Sequence, residues 1–293
     1  NIKRTPTGGR NFEYFSEDPL LTGELAAAFV NGVQSRGVAA CVKHFVCNDR
    51  ENGRFSYNVN IDEKTLREVY VKPFETVIDK AAPKCVMSAY NRVNGSFAGS
   101  SEPLNDILRN DLGFDGVVVS DWGGTDRRVD FYNTIGDLEM PGSDDKTHED
   151  VKNACETGNL SIERINSSVD RILKLIDFCL GEKSLPIEKN IAKAAAESMV
   201  LFANNGILPL DRSTKIAVVG TSAKENVFCG GGCACVDGDC KRTVFDELKT
   251  TFENADYFET PCDLLKDYDA VIVFVRESNS SEGFDRGAID IDC

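Results

Sequence analysis

Along the first 180 residues the apolar positions switch repeatedly between two periods. Residues 19–36 (PLLTGELAAAFVNGVQSR) repeat at helical spacing, with Pro19 suited to a first turn and Gly37 to a stop. The next run, GVAACVKHFV (37–46), reads as a buried strand. DEKTLREVYVKPFETVIDKA (62–81) reads as an amphipathic helix, KCVMSAYN (84–91) as a strand, and EPLNDILRNDLGF (102–114) as a short helix. GFDGVVVS (113–120) is a further buried strand, DLEMPG (137–142) a fourth short one, and helices follow near 147–157 and 161–180. Strands and helices alternating in this way predict parallel strands joined by right-handed crossovers.

The pattern loosens near 182–193 (EKSLPIEKNIAK) and then resumes. AAAESMVLFAN (194–204) predicts a helix, and KIAVVG (215–220) and DAVIVFV (269–275) predict strands of a second α/β unit. A glycine-rich loop, CGGGCACVDGDC (229–240), lies between those strands. VVGTSAKEN lacks the G-x-G-x-x-G of a dinucleotide site, so no nucleotide cofactor is inferred.

The polar interruptions carry the chemistry. Three strands of the first unit end in Lys43-His44, in Ser88-Ala89-Tyr90-Asn91 and in Ser120-Asp121-Trp122. Taken singly, each group reads equally as a helix cap or a satisfied loop residue. Three strands ending alike point to one pocket, because the C-terminal ends of parallel barrel strands converge on one rim. A tryptophan beside an aspartate has a mechanical sense there. An indole face packs on the apolar face of a sugar ring while the carboxylate reaches its reactive carbon.

Charge narrows the partners. The 293 residues carry 48 acidic against 33 basic side chains, a net charge of −15 that repels phosphate backbones and anionic lipid. No nucleic-acid or membrane partner is therefore expected, and no run approaches the roughly 20 apolar residues of a membrane span. Cys41, Cys85 and Cys179 sit singly in apolar runs, where a free thiol acts as a small hydrophobe, and this leans toward a reducing, cytoplasmic setting. Cys229, Cys233, Cys235 and Cys240 have a C-x3-C-x-C-x4-C spacing that matches no common zinc or iron–sulfur pattern, so a tight glycine loop is preferred over a metal site. His148, among Asp145, Glu149 and Asp150, reads as solvated.

GRNFEYFSEDP (9–19), KHFVCND (43–49), MSAYNRVNG (87–95), LGFDGVVVSDWGG (112–124), LEMPG (138–142), ESMVLFANNGILPL (197–210) and SEGFDR (281–286) together resemble glycoside hydrolase family 3, the β-glucosidase-like enzymes. The resemblance covers essentially the whole chain in the family's order. It implies an α/β fold in which a partial (β/α)8-type barrel (1–181) is followed by a linker (182–196) and an incomplete α/β sandwich domain (197–293), with the active site at their junction. It implies Asp121 as nucleophile, Trp122 as the aromatic wall of the sugar subsite, Arg10, Lys43 and His44 as donors to sugar hydroxyls, and Tyr90 beside the nucleophile. Glu282 corresponds to the acid/base, with Glu277 five residues away as its competitor. KHFVCNDRENGR lacks the His/Asp pair of the N-acetylglucosaminide-cleaving subgroup. In the family, one or two barrel units, with an aspartate that grips the sugar, precede GRNFE, and the second domain runs on beyond EGFDR.

The expected activity is that of a retaining, exo-acting β-glucosidase on a small β-glucoside or oligosaccharide, needing no metal or organic cofactor. A β-xylosidase or arabinosidase of the same family, and an inactive carbohydrate-binding fragment, are the alternatives. Self-association as a homo-oligomer stays open. Lys43 and Arg10 are expected to keep Asp121 ionised.

Overall fold

A computed structural model describes residues 1–142, 145–181, 190–236, 238, 241–277, 280–289 and 291–292. The chain forms two compact units, residues 1–185 with 283–285, and residues 186–282 with 286–293.

In the first unit, helix α1 (Pro19–Gln34) starts where Asp18 accepts a hydrogen bond from Leu21 N at 2.7 Å, with Pro19 in the first turn. A second helical stretch runs from Glu63 to Ala81 with widened, π-helical turns at Leu66–Val71. These turns end where Pro73, which has no N–H to give, enters α2 (Lys72–Ala81). Ala27 and Val30 of α1 pack on Val77 and Ala81 of α2. Gly23 permits the close approach, since a Cβ there would stand 2.6 Å from that of Thr76.

The helices cover a parallel sheet of β1 (Cys41–Phe45), β2 (Cys85–Ser88) and β3 (Val117–Ser120), with β2 in the centre. Phe45, Val86 and Val118 are fully buried, and with Phe74, Leu104, Leu108 and Phe131 they form the main core. The parallel arrangement agrees with the sequence pattern. The expectation of a buried strand at 37–46 needs correction: β1 lies at the outside of the described sheet, and Cys41 and Lys43 are exposed. Cys85 is buried as expected, but Cys41 and Cys179 are exposed. His148 is exposed, as expected.

DLEMPG does not form a regular strand. Its backbone joins the edge of β3 by an isolated bridge, Leu138 to Val119, and beside it the Asp137 and Leu138 amides both donate to Val118 O while the Asp137 carboxylate, rather than a backbone carbonyl, takes the Val118 N–H. The Asp137 carboxylate, fully buried, accepts from Val118 N (2.9 Å), Arg109 Nη2 (2.6 Å), Ser168 Oγ (2.8 Å), Arg164 Nη1 (3.2 Å) and Arg171 Nη1 (3.1 Å). Burial raises its pKa, but Arg109 and its other donors outweigh this and hold it below the usual carboxylate range. Helix α3 (Ile162–Leu180), capped by Ser161, brings Arg164, Ser168 and Arg171 to this point. A small sheet of Asn58–Val59, Arg92–Val93 and Ser96–Phe97, closed by an Asn94-Gly95 turn with both φ angles positive, was not legible in the sequence pattern.

In the second unit, β4 (Lys215–Val219) lies between β5 (Asn254–Phe258) and β6 (Ala270–Val273), all parallel. Ile216 and Val218 pack with Phe245 and Ala270. The Val244–Thr251 helix, opened by a Thr243/Asp246 capping box, and β5 carry too many polar residues to stand out by period. The helix expected at 194–204 is instead Ile191–Glu197. It closes at Ser198, whose N–H bonds to Ala194 O and Ala196 O, and further along Asn204 folds the chain into a turn, its side chain accepting from Gly206 N and Leu208 N and donating to Leu208 O. Residues 182–189 of the expected linker lie outside the described residues. Among the described residues, no helix is long and apolar enough to cross a membrane.

Candidate active site

Register decides the geometry in the first unit. Phe45 pairs with Ser88, and Ser88 with Ser120, so the residues that follow these three leave the sheet along one edge. His44 is buried there (1% exposed), with Nε2 3.3 Å from Asp121 Oδ2. Burial, reinforced by the positive charges of Arg10, Lys43 and Arg54, pushes the imidazole well below its ordinary pKa, so His44 is a neutral ring.

Asp121 is held by its own turn. Its Oδ1 accepts from Trp122 N at 2.7 Å, and its carbonyl accepts from Gly124 N at 2.9 Å around Gly123, whose φ is +73°. Tyr90 OH donates to Trp122 O at 3.0 Å, while the Trp122 indole remains 59% exposed. Met140 N donates to Ser120 Oγ and Gly123 N to Met140 O, so the LEMPG segment braces the same turn. His44, Tyr90, Asp121 and Trp122 are therefore assembled as the strand pattern predicts.

Arg10 and Lys43 share a counter-charge that the sequence reading did not single out. Both pair with Glu13, Arg10 through Nε (3.2 Å) and Nη2 (2.9 Å), and Lys43 through Nζ (3.4 Å). Arg10 is 3% exposed, and a guanidinium that deeply buried requires a counter-charge. Burial lowers its pKa, but Glu13 more than compensates and raises it overall. Glu13 belongs to the GRNFEYF segment, and its place three residues after Arg10, an opposite charge, was the available signal for it.

Sequence reasoning also missed Arg54, Glu51 and Asp285. The Arg54 guanidinium stacks 4.6 Å from the Tyr90 ring centroid and 5.2 Å from that of Phe55, and pairs with Glu51 at 2.8 Å. Glu51 Oε2 also accepts from Gly283 N at 2.7 Å. The Asp285 carboxylate accepts from the backbone of Gly9 (3.2 Å), Glu51 (2.9 Å) and Asn52 (2.9 Å). Residues 283–285 of SEGFDR are thus tied to the loops that follow β1 and precede α1. Among the described residues, buried polar atoms without a hydrogen-bond partner gather at the strand ends: His44 Nδ1, Asn48 Nδ2, Asn91 Oδ1 and Asp121 Oδ2.

In the second unit, Glu282 Oε2 accepts from Cys233 N at 3.0 Å. Glu277 pairs with Arg286 at 3.2 Å and accepts from Ser280 Oγ at 3.1 Å. In the glycine-rich loop, Val236 N donates to Cys229 Sγ at 3.1 Å. Cys240 lies outside the described residues.

Residues 1–175 match the model of the glycosyl hydrolase family 3 N-terminal domain, and residues 199–292 that of its C-terminal domain. The chain belongs to glycosyl hydrolase family 3. Within this family it is 42% identical over 258 residues to thermostable beta-glucosidase B of Acetivibrio thermocellus, covering 85% of this chain and 34% of that protein. It superimposes on a beta-glucosidase of Bifidobacterium adolescentis with a TM-score of 0.88 at 33% identity, over 99% of this chain and 47% of that one. Beta-glucosidase 3B of Thermotoga neapolitana, solved in complex with glucose, matches with a TM-score of 0.85 at 32% identity, over 98% and 47%. The chain thus spans about a third of the curated relative and about half of the solved ones. The likeness supports the barrel-type and α/β sandwich architecture of the two family 3 domains.

Proposed function

We propose that this family 3 chain carries the catalytic residues of a retaining, exo-acting β-glucosidase that releases terminal β-D-glucosyl residues from a small β-glucoside or oligosaccharide. The observation that carries the reading is the Asp121 carboxylate. One oxygen is fixed by the Trp122 amide, while Oδ2 has no hydrogen-bond partner among the described residues and faces a neutral His44. An oxygen held in place but not tied up by a strong donor is suited to nucleophilic attack.

In the proposed reaction Oδ2 bonds to the anomeric carbon as the glycosidic C–O bond breaks, and Glu282 gives its proton to the departing oxygen. Water then attacks the same carbon, Glu282 takes a proton from it, and the bond to Asp121 breaks. The exposed Trp122 face offers a wall for the sugar ring, and Arg10, Lys43, His44 and Tyr90 offer polar groups to its hydroxyls. The relatives named beta-glucosidase, and the Thermotoga protein solved with glucose, favour glucose over a pentose.

A 2-deoxy-2-fluoroglucoside with a good leaving group should label a peptide containing Ser120-Asp121-Trp122 in the full-length protein. Asp121→Ala should lower kcat by about 1,000-fold or more without unfolding it. Label on another carboxylate refutes the nucleophile assignment, and a higher kcat/KM on aryl xylosides or arabinosides refutes the sugar assignment.

A further inference from the structure

From sequence, the glycine-rich loop 229–240 reads only as a tight turn. Around Gly231-Gly232-Cys233 the geometry is more specific. Gly231 N donates to Ser280 O at 3.0 Å, Glu282 N donates back to Gly231 O at 3.3 Å, and Gly231 bridges Ser281. This short ladder pins the backbone around Glu282 to the loop. The side chain is then fixed by the next two residues. Cys233 N donates to Glu282 Oε2 at 3.0 Å, and Gly232 packs against the stem of Glu282, where an added Cβ would stand 2.4 Å from Glu282 Cβ. Gly232 also has a φ of +84°, a region that L-residues with side chains rarely adopt.

Two independent demands therefore meet at Gly232. Its backbone conformation favours glycine, and the space a side chain would need is filled by the Glu282 stem. Such contacts are unlike those of Gly206, whose φ is +98° but around which a Cβ would meet nothing within 4 Å. Only the backbone demand applies there.

We propose that Gly232 and the Cys233 amide are positioning elements for Glu282, a cradle that fixes the carboxyl group of the acid/base in the orientation that proton transfer requires. The inference rests on the assignment of Glu282 made above. It assigns the Gly231-Gly232-Cys233 segment a task in catalysis that a turn alone would not have. A general acid works only within hydrogen-bond reach of the proton's destination, so a displaced stem weakens protonation of the leaving group while leaving nucleophilic attack intact.

The test compares Gly232→Ala, Cys233→Pro, Gly206→Ala and Glu282→Ala in the full-length protein, with aryl glucosides of good (dinitrophenyl) and poor (phenyl) leaving groups. Cys233→Pro removes the amide donor without adding a Cβ at 232. Gly232→Ala is expected to lower kcat/KM for the phenyl glucoside at least about tenfold more than for the dinitrophenyl glucoside, and Cys233→Pro to show the same bias at smaller size. Gly206→Ala should lose thermal stability with no such bias, which separates positioning from backbone strain. If Glu282→Ala shows the bias while Gly232→Ala and Cys233→Pro slow both substrates equally, the cradle is refuted and the acid/base assignment stands. If Glu282→Ala itself shows no bias, the acid/base assignment fails and the cradle with it. Should Gly232→Ala not fold, Cys233→Pro alone decides.

Discussion

Replacing Asp137 by Asn tests how the barrel unit holds the segment behind its candidate nucleophile. Asp137 has no exposed side-chain surface and lies among Arg109, Arg164 and Arg171, each less than a fifth exposed. Asn keeps the shape and one acceptor oxygen but leaves three guanidinium groups around a neutral amide. Removing one partner of a buried ion pair costs about 3–5 kcal/mol. Asp115 supplies the comparison, since it also pairs with Arg171 and Lys174 yet is 72% exposed, and such surface pairs contribute about 0–1 kcal/mol.

Hydrogen exchange suits a protein of two units, because it reads opening locally. The Val118 amide bonds to Asp137 directly, and Asp137 and Leu138 donate to Val118 O. Asp137→Asn should therefore speed exchange in a peptide covering 117–120 by about 100-fold or more, at 1.4 kcal/mol per factor of ten, while Asp115→Asn should change it by less than about fivefold. The same carboxylate, with its pKa held low in the folded state, contributes stability that is complete above its unfolded pKa near 4 and is lost as pH falls below it. Equal exchange in the two variants would refute the view that the three arginines depend on Asp137.

His44 predicts a second pH effect of the same sign at higher pH. Its folded pKa lies well below 6.5, so the unfolded chain takes up a proton that the folded chain refuses, and wild type should lose about 1 kcal/mol more than His44→Asn between pH 6.5 and 5.5 in denaturant titrations. Equal losses would show that His44 is charged in the fold. Glu13→Gln should raise KM for an aryl glucoside about tenfold or more and lower Tm, because Arg10 and Lys43 lose their shared counter-charge. An unchanged KM would refute that organising role.

The sequence alone determined the parallel α/β character, the polar strand ends and the family. Continuous apolar runs such as Val117-Val118-Val119 admit few other structures, and the residues that follow them are fixed in order by the chain itself. His44, Tyr90, Asp121 and Trp122 were legible for that reason. Tertiary structure alone decided which charges meet. Arg10 and Lys43 share Glu13, Asp137 leaves the expected strand to gather three arginines, and Asp285 collects amides from residues more than 200 positions away. Periodicity reports which face of an element is buried, whereas a buried charge selects its partner by distance and desolvation in the assembled fold, and neither quantity is written along the chain.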